Sequence, residues 1–155
     1  MNRWILPSLF LTALVLGGAL IAQQAAADPW TTSDLIPPET LAKSLSDKTK
    51  PLILYVGFPV LYRAAHIPGA ILAGPASRPE GIEALKKALA TIPKNQAIVV
   101  YCGCCPWDKC PNVRPAFQLI KQLGYQQAKL VTIPTNVHTD WTSKGFPVER
   151  AADKQ

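Results

Sequence analysis

Two unbroken apolar runs, Leu52–Val56 and Ala97–Tyr101, constrain the fold of this chain more than any other feature. A strand with one wet face alternates apolar and polar residues. Runs without alternation belong to strands buried on both faces, the habit of parallel sheets. Ile71-Leu72-Ala73 and Lys129–Ile133 are shorter strand candidates. Helical patterns separate them. Pro38 opens a short one with Leu41 and Leu45 on one face, ending near Ser46. Pro79 opens a second, with Ile82, Leu85 and Leu89 in phase and Pro93 as its stop. Asn112 is placed to cap a third, in which Val113, Ala116, Phe117, Ile120 and Leu123 share a face and Gly124 ends the helix. Asp28–Pro37 reads as a polar leader, Phe58–Ala65 as irregular, and Pro134–Gly145 as a loop with a helical turn near Trp141. Strands alternating with helices predict an α/β fold, a mostly parallel sheet with helices on both faces. In such a sheet ligands gather beyond the carboxyl ends of the strands.

Composition narrows the class. Charged residues are 17% and apolar residues 48%, which excludes a disordered chain. Fifteen scattered prolines favour short elements with fixed turns over a long helical bundle. The formal net charge is +6, but the cations are dispersed and no aromatic ladder lies among them, so nucleic acid is not an expected partner. A monomer is expected, with no cofactor.

Met1–Ala27 reads as an export signal. Arg3 supplies the charged start, Ile5–Ile21 holds no ionisable side chain, and Ala25-Ala26-Ala27 offers small residues for cleavage before Asp28. The rival is an uncleaved anchor, the one case in which a membrane is a partner. Either way the domain would lie in a periplasm-like, thiol-oxidising space. The expected organisation is a signal over 1–27, a leader and the start of the first helix over 28–43, a domain over 44–150, and a tail over 151–155.

All four cysteines fall in one loop, Cys102-Gly-Cys104-Cys105 with Cys110 beyond, directly after the Ala97–Tyr101 strand. Three chemistries compete. A metal site usually draws its thiolates from paired turns. Here one crowded cluster has adjacent cysteines whose side chains should diverge, so no metal ligands are assigned. A soft-metal module for Cu(I) or zinc nevertheless stays open as an alternative. A structural disulfide is the second, with Cys105–Cys110 expected first and Cys104–Cys110 next, because Pro106 favours a turn back. A nucleophilic thiol is the third. Cys102 sits between a buried strand and a glycine, in a loop whose N–H groups could form an anion nest at the start of the Asn112 helix. That setting stabilises a thiolate, the attacking form. Arg114, in the first helical turn, could add charge for a sulfur oxyanion. A thiol–disulfide redox protein using the same loop is a further alternative.

Four motifs in order now resemble one family. Ala65-His66-Ile67-Pro68-Gly69-Ala70 resembles the Gly-His-Ile-Pro-Gly-Ala signature of single-domain rhodaneses. Ile98–Cys102 resembles the strand that delivers their catalytic cysteine, and Leu119–Tyr125 the end of the next helix in that family. Trp141 with Gly145-Phe146-Pro147-Val148-Glu149 resembles their closing Trp…Gly-Leu-Pro-Val motif. The resemblance covers roughly Ser44 to Glu149. It implies a rhodanese α/β fold with a five-stranded, mostly parallel sheet. It also implies a sulfurtransferase in which a cysteine persulfide forms from thiosulfate or a protein persulfide and passes to a nucleophilic acceptor.

Cys102 is then the catalytic candidate. Cys104, Cys105 and Cys110 are candidate resolving or disulfide cysteines, and Gly103, Trp107, Asn112 and Arg114 candidate substrate-binding residues. Trp107 either caps the loop or meets a partner. His66 belongs to a structural turn, and His138 lies on the surface or lines the site. Two departures stand out. Tyr55-Val56-Gly57 replaces the frequent Asp-Val-Arg, and the active loop is longer, placing Asn112 where an arginine is usual. The related phosphatases need arginine six positions after the cysteine; here that position is Asp108.

Overall fold

The computed structural model describes residues 27–150. The export signal, apart from Ala27, and the tail over 151–155 lie outside the described residues. Five strands form one sheet: β1 Leu35–Ile36, β2 Leu52–Tyr55, β3 Ile71–Leu72, β4 Ile98–Tyr101 and β5 Ala128–Val131. Their order is β1-β5-β4-β2-β3, and all four pairings are parallel. The helices are α1 Pro38–Ser44, α2 Pro59–Ala64, α3 Pro79–Leu89, α4 Val113–Gln122 and α5 Val137–Asp140. Proline begins α1, α2 and α3 at the first helical position, where its missing N–H is no loss and its fixed φ suits the turn. Among the described residues no helix is long and apolar enough to cross a membrane.

Period-two alternation splits the strands between two cores. Leu54, Val56, Ile98 and Val100 pack with Leu85 and Leu89 of α3 and Ala116, Phe117 and Ile120 of α4. Ile53, Tyr55, Val99 and Tyr101 pack with Leu41 of α1, Ile67 and Trp141. The expected α/β sheet covered on both faces, with five strands, is the fold observed.

Two segments differ from expectation. Asp28–Pro37 is more than a leader: Trp30 is buried against Trp107 and Phe117, and Leu35–Ile36 form an edge strand on β5. A two-residue strand leaves no periodic signal. Phe58–Ala65 is not irregular but contains α2, with Val60 and Leu61 exposed. A helix that short buries no apolar stripe, so spacing could not announce it.

Asp34 fastens the N-terminal segment. Its carboxylate accepts from the Thr31 N–H at 2.8 Å and the Thr31 hydroxyl at 2.9 Å, and from the Lys121 ammonium of α4 at 3.1 Å. Burial opposes its charge, but these donors together hold the carboxyl below its usual range. Asp34→Asn should cost about 1 kcal/mol at neutral pH, as lost caps and half-buried pairs do. Because the folded value is depressed, this stability is present above the unfolded carboxyl pKa and fades as pH falls through the folded one. Urea unfolding of both proteins should therefore show a gap near neutrality that closes in strong acid. A gap that is independent of pH would contradict the charge account.

Candidate active site

The alternation that places Ile98 and Val100 on the α4 side continues one step to Cys102, which joins the same core at 2% exposure. The end of β4 thus aims this thiol at the start of α4. The loop between them makes one turn of 3-10 helix at Trp107–Lys109 and returns Cys110 to the core at 4% exposure. The Trp107 N–H donates to the Ile133 carbonyl at 3.0 Å, and its ring lies 5.5 Å from that of Trp30. Trp107 therefore caps the loop against the domain.

Gly103 turns the chain out of the strand at φ +79°. A side chain there would be strained, and its Cβ would come 2.9 Å from the Cβ of Val137. The Gly103 carbonyl accepts the Val137 N–H at 2.9 Å, tying the loop to α5. Gly57 stands beside the thiol because β2 and β4 are parallel neighbours. A Cβ at Gly57 would lie 2.6 Å from the Tyr55 hydroxyl oxygen and 2.9 Å from Cys102 Sγ. A side chain there would require the Tyr55 ring and the Cys102 thiol to shift, and glycine stands where the family often has arginine.

The sulfurs are crowded. Cys102 Sγ lies 3.3 Å from Cys104 Sγ, which lies 3.1 Å from Cys105 Sγ and 3.9 Å from Cys110 Sγ. The Sγ atoms of Cys102, Cys104 and Cys110 all fall within 4.8 Å of one another, and the adjacent Cys104 and Cys105, whose side chains were expected to diverge, bring their sulfurs to 3.1 Å. All four cysteines are free thiols. The expected Cys105–Cys110 bond is not formed; the Trp107–Lys109 turn sets Cys110 3.9 Å from Cys104, beyond bonding reach, while Cys105 meets the Cys104 sulfur.

Electrostatics sort the thiols in an unexpected order. The Cys102 thiol faces Cys110, and the backbone N–H groups of Asn112 and Val113 at the start of α4 also point to that sulfur. Against the opposing effect of burial, they pull the Cys110 pKa down to about 5. Cys102, hydrogen-bonded to Cys110 and buried, is pushed up, as is Cys105 by burial. The helix-terminal donors assigned to Cys102 therefore serve Cys110 instead. A thiolate-absorbance titration should show about one equivalent per chain ionising near pH 5, absent in Cys110→Ser. No thiolate below the ordinary cysteine range would contradict this arrangement.

Two candidate substrate residues have other work. Asn112 precedes α4, but its side chain makes no cap bond. Fully buried, it accepts the Ser77 N–H on Oδ1 at 2.9 Å and directs Nδ2 at Cys102 Sγ, 3.4 Å away. It positions the thiol rather than meeting ligand in the cleft. Arg114 pairs with Asp28 and lies 5.1 Å over the Trp30 ring, which ties it to the N-terminal segment rather than to the thiols. His66 is structural. Its Nδ1–H donates to the Tyr62 carbonyl at 2.7 Å, its ring stacks on Tyr62 at 3.8 Å, and its backbone bridges Glu149.

A cleft of about 440 Å³ opens beside the loop, lined by Gly103, Cys104, Val137, His138 and Arg150 among others. Sequence reasoning missed Val137 and Arg150. No local motif marks them, and their place depends on how α5 and the closing segment fold back.

The Rhodanese-like domain family matches residues 37–132, and the chain belongs to that family. No curated protein matches at comparable significance. Among solved structures, the fold is similar to the rhodanese-like domain of Anabaena sp. Alr3790, with a TM-score of 0.56 at 18% identity over 79% of this chain and 83% of that one. BH2092 of Bacillus halodurans is similar at a TM-score of 0.57 and 20% identity, over 76% and 77% of the two chains. A thiosulfate sulfurtransferase from Pseudomonas aeruginosa is similar at 0.53 and 24%, over 76% of this chain and 19% of that one. The architecture is thus a rhodanese-like fold.

Proposed function

We propose that this chain is a sulfurtransferase that takes sulfane sulfur onto Cys102 and yields it to a thiol or other nucleophilic acceptor. The observation that carries this reading is the position of Cys102: at the carboxyl end of β4, beneath the start of α4, in a member of the rhodanese-like family. Burial and the Cys110 partner favour the protonated form of Cys102, and the N–H groups at the start of α4 favour the thiolate at Cys110. Attack therefore requires the Cys102 proton to move to Cys110 against this preference. With thiosulfate, Cys102 Sγ bonds to the outer sulfur, the sulfur–sulfur bond of the donor breaks, and sulfite leaves with its electron pair. The Cys102 proton passes to Cys110. An acceptor thiolate then takes the outer sulfur, and Cys102 recovers its proton. Asn112 Nδ2 steadies the attacking sulfur. Arg150, on the cleft wall, supplies positive charge for an anionic donor. Reduced protein should transfer sulfur from thiosulfate to cyanide or a small thiol with turnover. No transfer from thiosulfate or from a low-molecular-weight persulfide would overturn the reading.

Export belongs to the same proposal, with the domain working as a monomer outside the cytoplasm. N-terminal sequencing of protein from the periplasmic fraction should begin at Asp28. An intact Met1 in the membrane fraction would favour the anchor.

A further inference from the structure

We infer that Cys102, Cys104 and Cys110 form an all-sulfur, three-coordinate site for Cu(I), a function beyond sulfur transfer. These three residues are the one group of His, Cys, Asp or Glu side chains among the described residues whose ligand atoms converge within 4.8 Å. A d10 ion about 2.3 Å from each of three coplanar sulfurs separates them by about 4.0 Å. Cys104 already lies 3.9 Å from Cys110 and 3.3 Å from Cys102. Closing on an ion therefore needs shifts of the order of an ångström, not refolding.

The ligands are held by the scaffold. Cys102 is fixed by the end of β4, Cys110 by the Trp107–Lys109 turn and the start of α4, and Cys104 by the left-handed turn at Gly103. Outside them stands a polar contact of the kind that orients metal ligands. Asn112, 0% exposed, reaches Cys102 Sγ at 3.4 Å while its own oxygen is anchored on Ser77. Val113 and Phe117 belong to the same core cluster as Cys102 and Cys110, so two of the three ligands sit in dry surroundings.

The donor set decides which ion fits. Thiolates alone favour soft ions such as Cu(I) and Zn(II) over Mg(II), Ca(II) or Mn(II). Zn(II) prefers four ligands, and Cys105 lies outside the converging group. Three sulfurs in a dry site suit a monovalent ion that accepts trigonal coordination. On binding, three sulfur–copper bonds form, each thiol still protonated releases its proton to solvent, and no atom changes oxidation state. Bound Cu(I) occupies Cys102, so metal and persulfide exclude each other. That corollary alone rests on the sulfurtransferase reading.

The test is an anaerobic titration of the fully reduced chain with Cu(I) against a chromogenic Cu(I) chelator, with no sulfur donor present. One Cu(I) per chain should be taken from the chelator, with a thiolate-to-copper absorption band. Cys104→Ser and Cys110→Ser should each weaken binding about 100-fold or more, at the upper end of or beyond the effect of losing an outer contact. Cys105→Ser should leave it unchanged. Cys104 is half-exposed, so its variant stays informative if the buried Cys110 variant fails to fold. Failure to compete with the chelator would overturn the site. So would a loss in Cys105→Ser equal to that in Cys104→Ser, or tighter uptake of Zn(II) by all four cysteines. Because the readout needs no sulfur donor, failure here with thiosulfate turnover intact removes the metal site alone.

Discussion

Cys102→Ser should reduce sulfur transfer by roughly 10³-fold or more, to the level of a chain with no nucleophile, because no other group in a covalent mechanism replaces the one that carries the intermediate. The change exchanges sulfur for oxygen at a site 2% exposed to solvent, so the fold should survive. Asn112 Nδ2 can donate to a hydroxyl as it does to the thiol 3.4 Å away. Circular dichroism should match the parent, and turnover with thiosulfate should fall to background. If the serine variant keeps parental turnover, the sulfur is carried elsewhere. Cys105, half-exposed and in contact with Cys104 Sγ at 3.1 Å, would then be the first candidate.

Trp141→Ala should be the most damaging single change to stability. Trp141 is fully buried beside Leu41, Tyr55, Ile67 and Ile133. Its ring meets Phe146 edge-on at 5.2 Å, and its Nε1–H donates to the Pro147 carbonyl at 2.7 Å. Truncation leaves a large cavity, typically a loss of about 3–5 kcal/mol, and orphans the carbonyl that the indole satisfied. The closing segment that Trp141 anchors runs on to Glu149, whose backbone pairs with His66. Domains of this size have only about 5–15 kcal/mol in total, so the variant should be mostly unfolded at moderate urea concentrations. A shift worth under about 1 kcal/mol would mean that the site collapses around the missing ring, contrary to its tight packing. Trp141→Phe, which keeps most of the ring and loses the hydrogen bond, should fall between.

The parts of the fold that were legible in the sequence are those governed by repetition. β2 and β4 are apolar at every position because helices cover both faces. α3 and α4 carry stripes at 3–4 spacing that match most of their buried residues, Leu85 and Leu89 in α3 and Val113, Ala116, Phe117 and Ile120 in α4, whereas Ile82 is half-buried and Leu123, just past α4, is exposed. Cys102 was legible for the same reason, since the end of a buried strand fixes where the next side chain points. Elements of two to six residues, β1 and α2, hold too few positions for a period to show. The site's electrostatics were not legible, because they depend on where a long excursion between β4 and α4 returns. Asn112 looked like a cap and instead spans Ser77 and Cys102, and the helix-terminal N–H groups went to Cys110. Arg114 finds Asp28 across 86 residues of sequence, a pairing that no local pattern carries.

The most direct measurement of the account is to map the sulfur itself. Reduced protein is exposed to thiosulfate, blocked with an alkylating reagent and analysed by intact mass and peptide mapping. One added sulfur atom per chain, carried on the peptide containing Cys102 and absent in Cys102→Ser, is the expected result. A persulfide on Cys104, Cys105 or Cys110 with Cys102 unmodified, or no added sulfur in a protein that turns over, would contradict it.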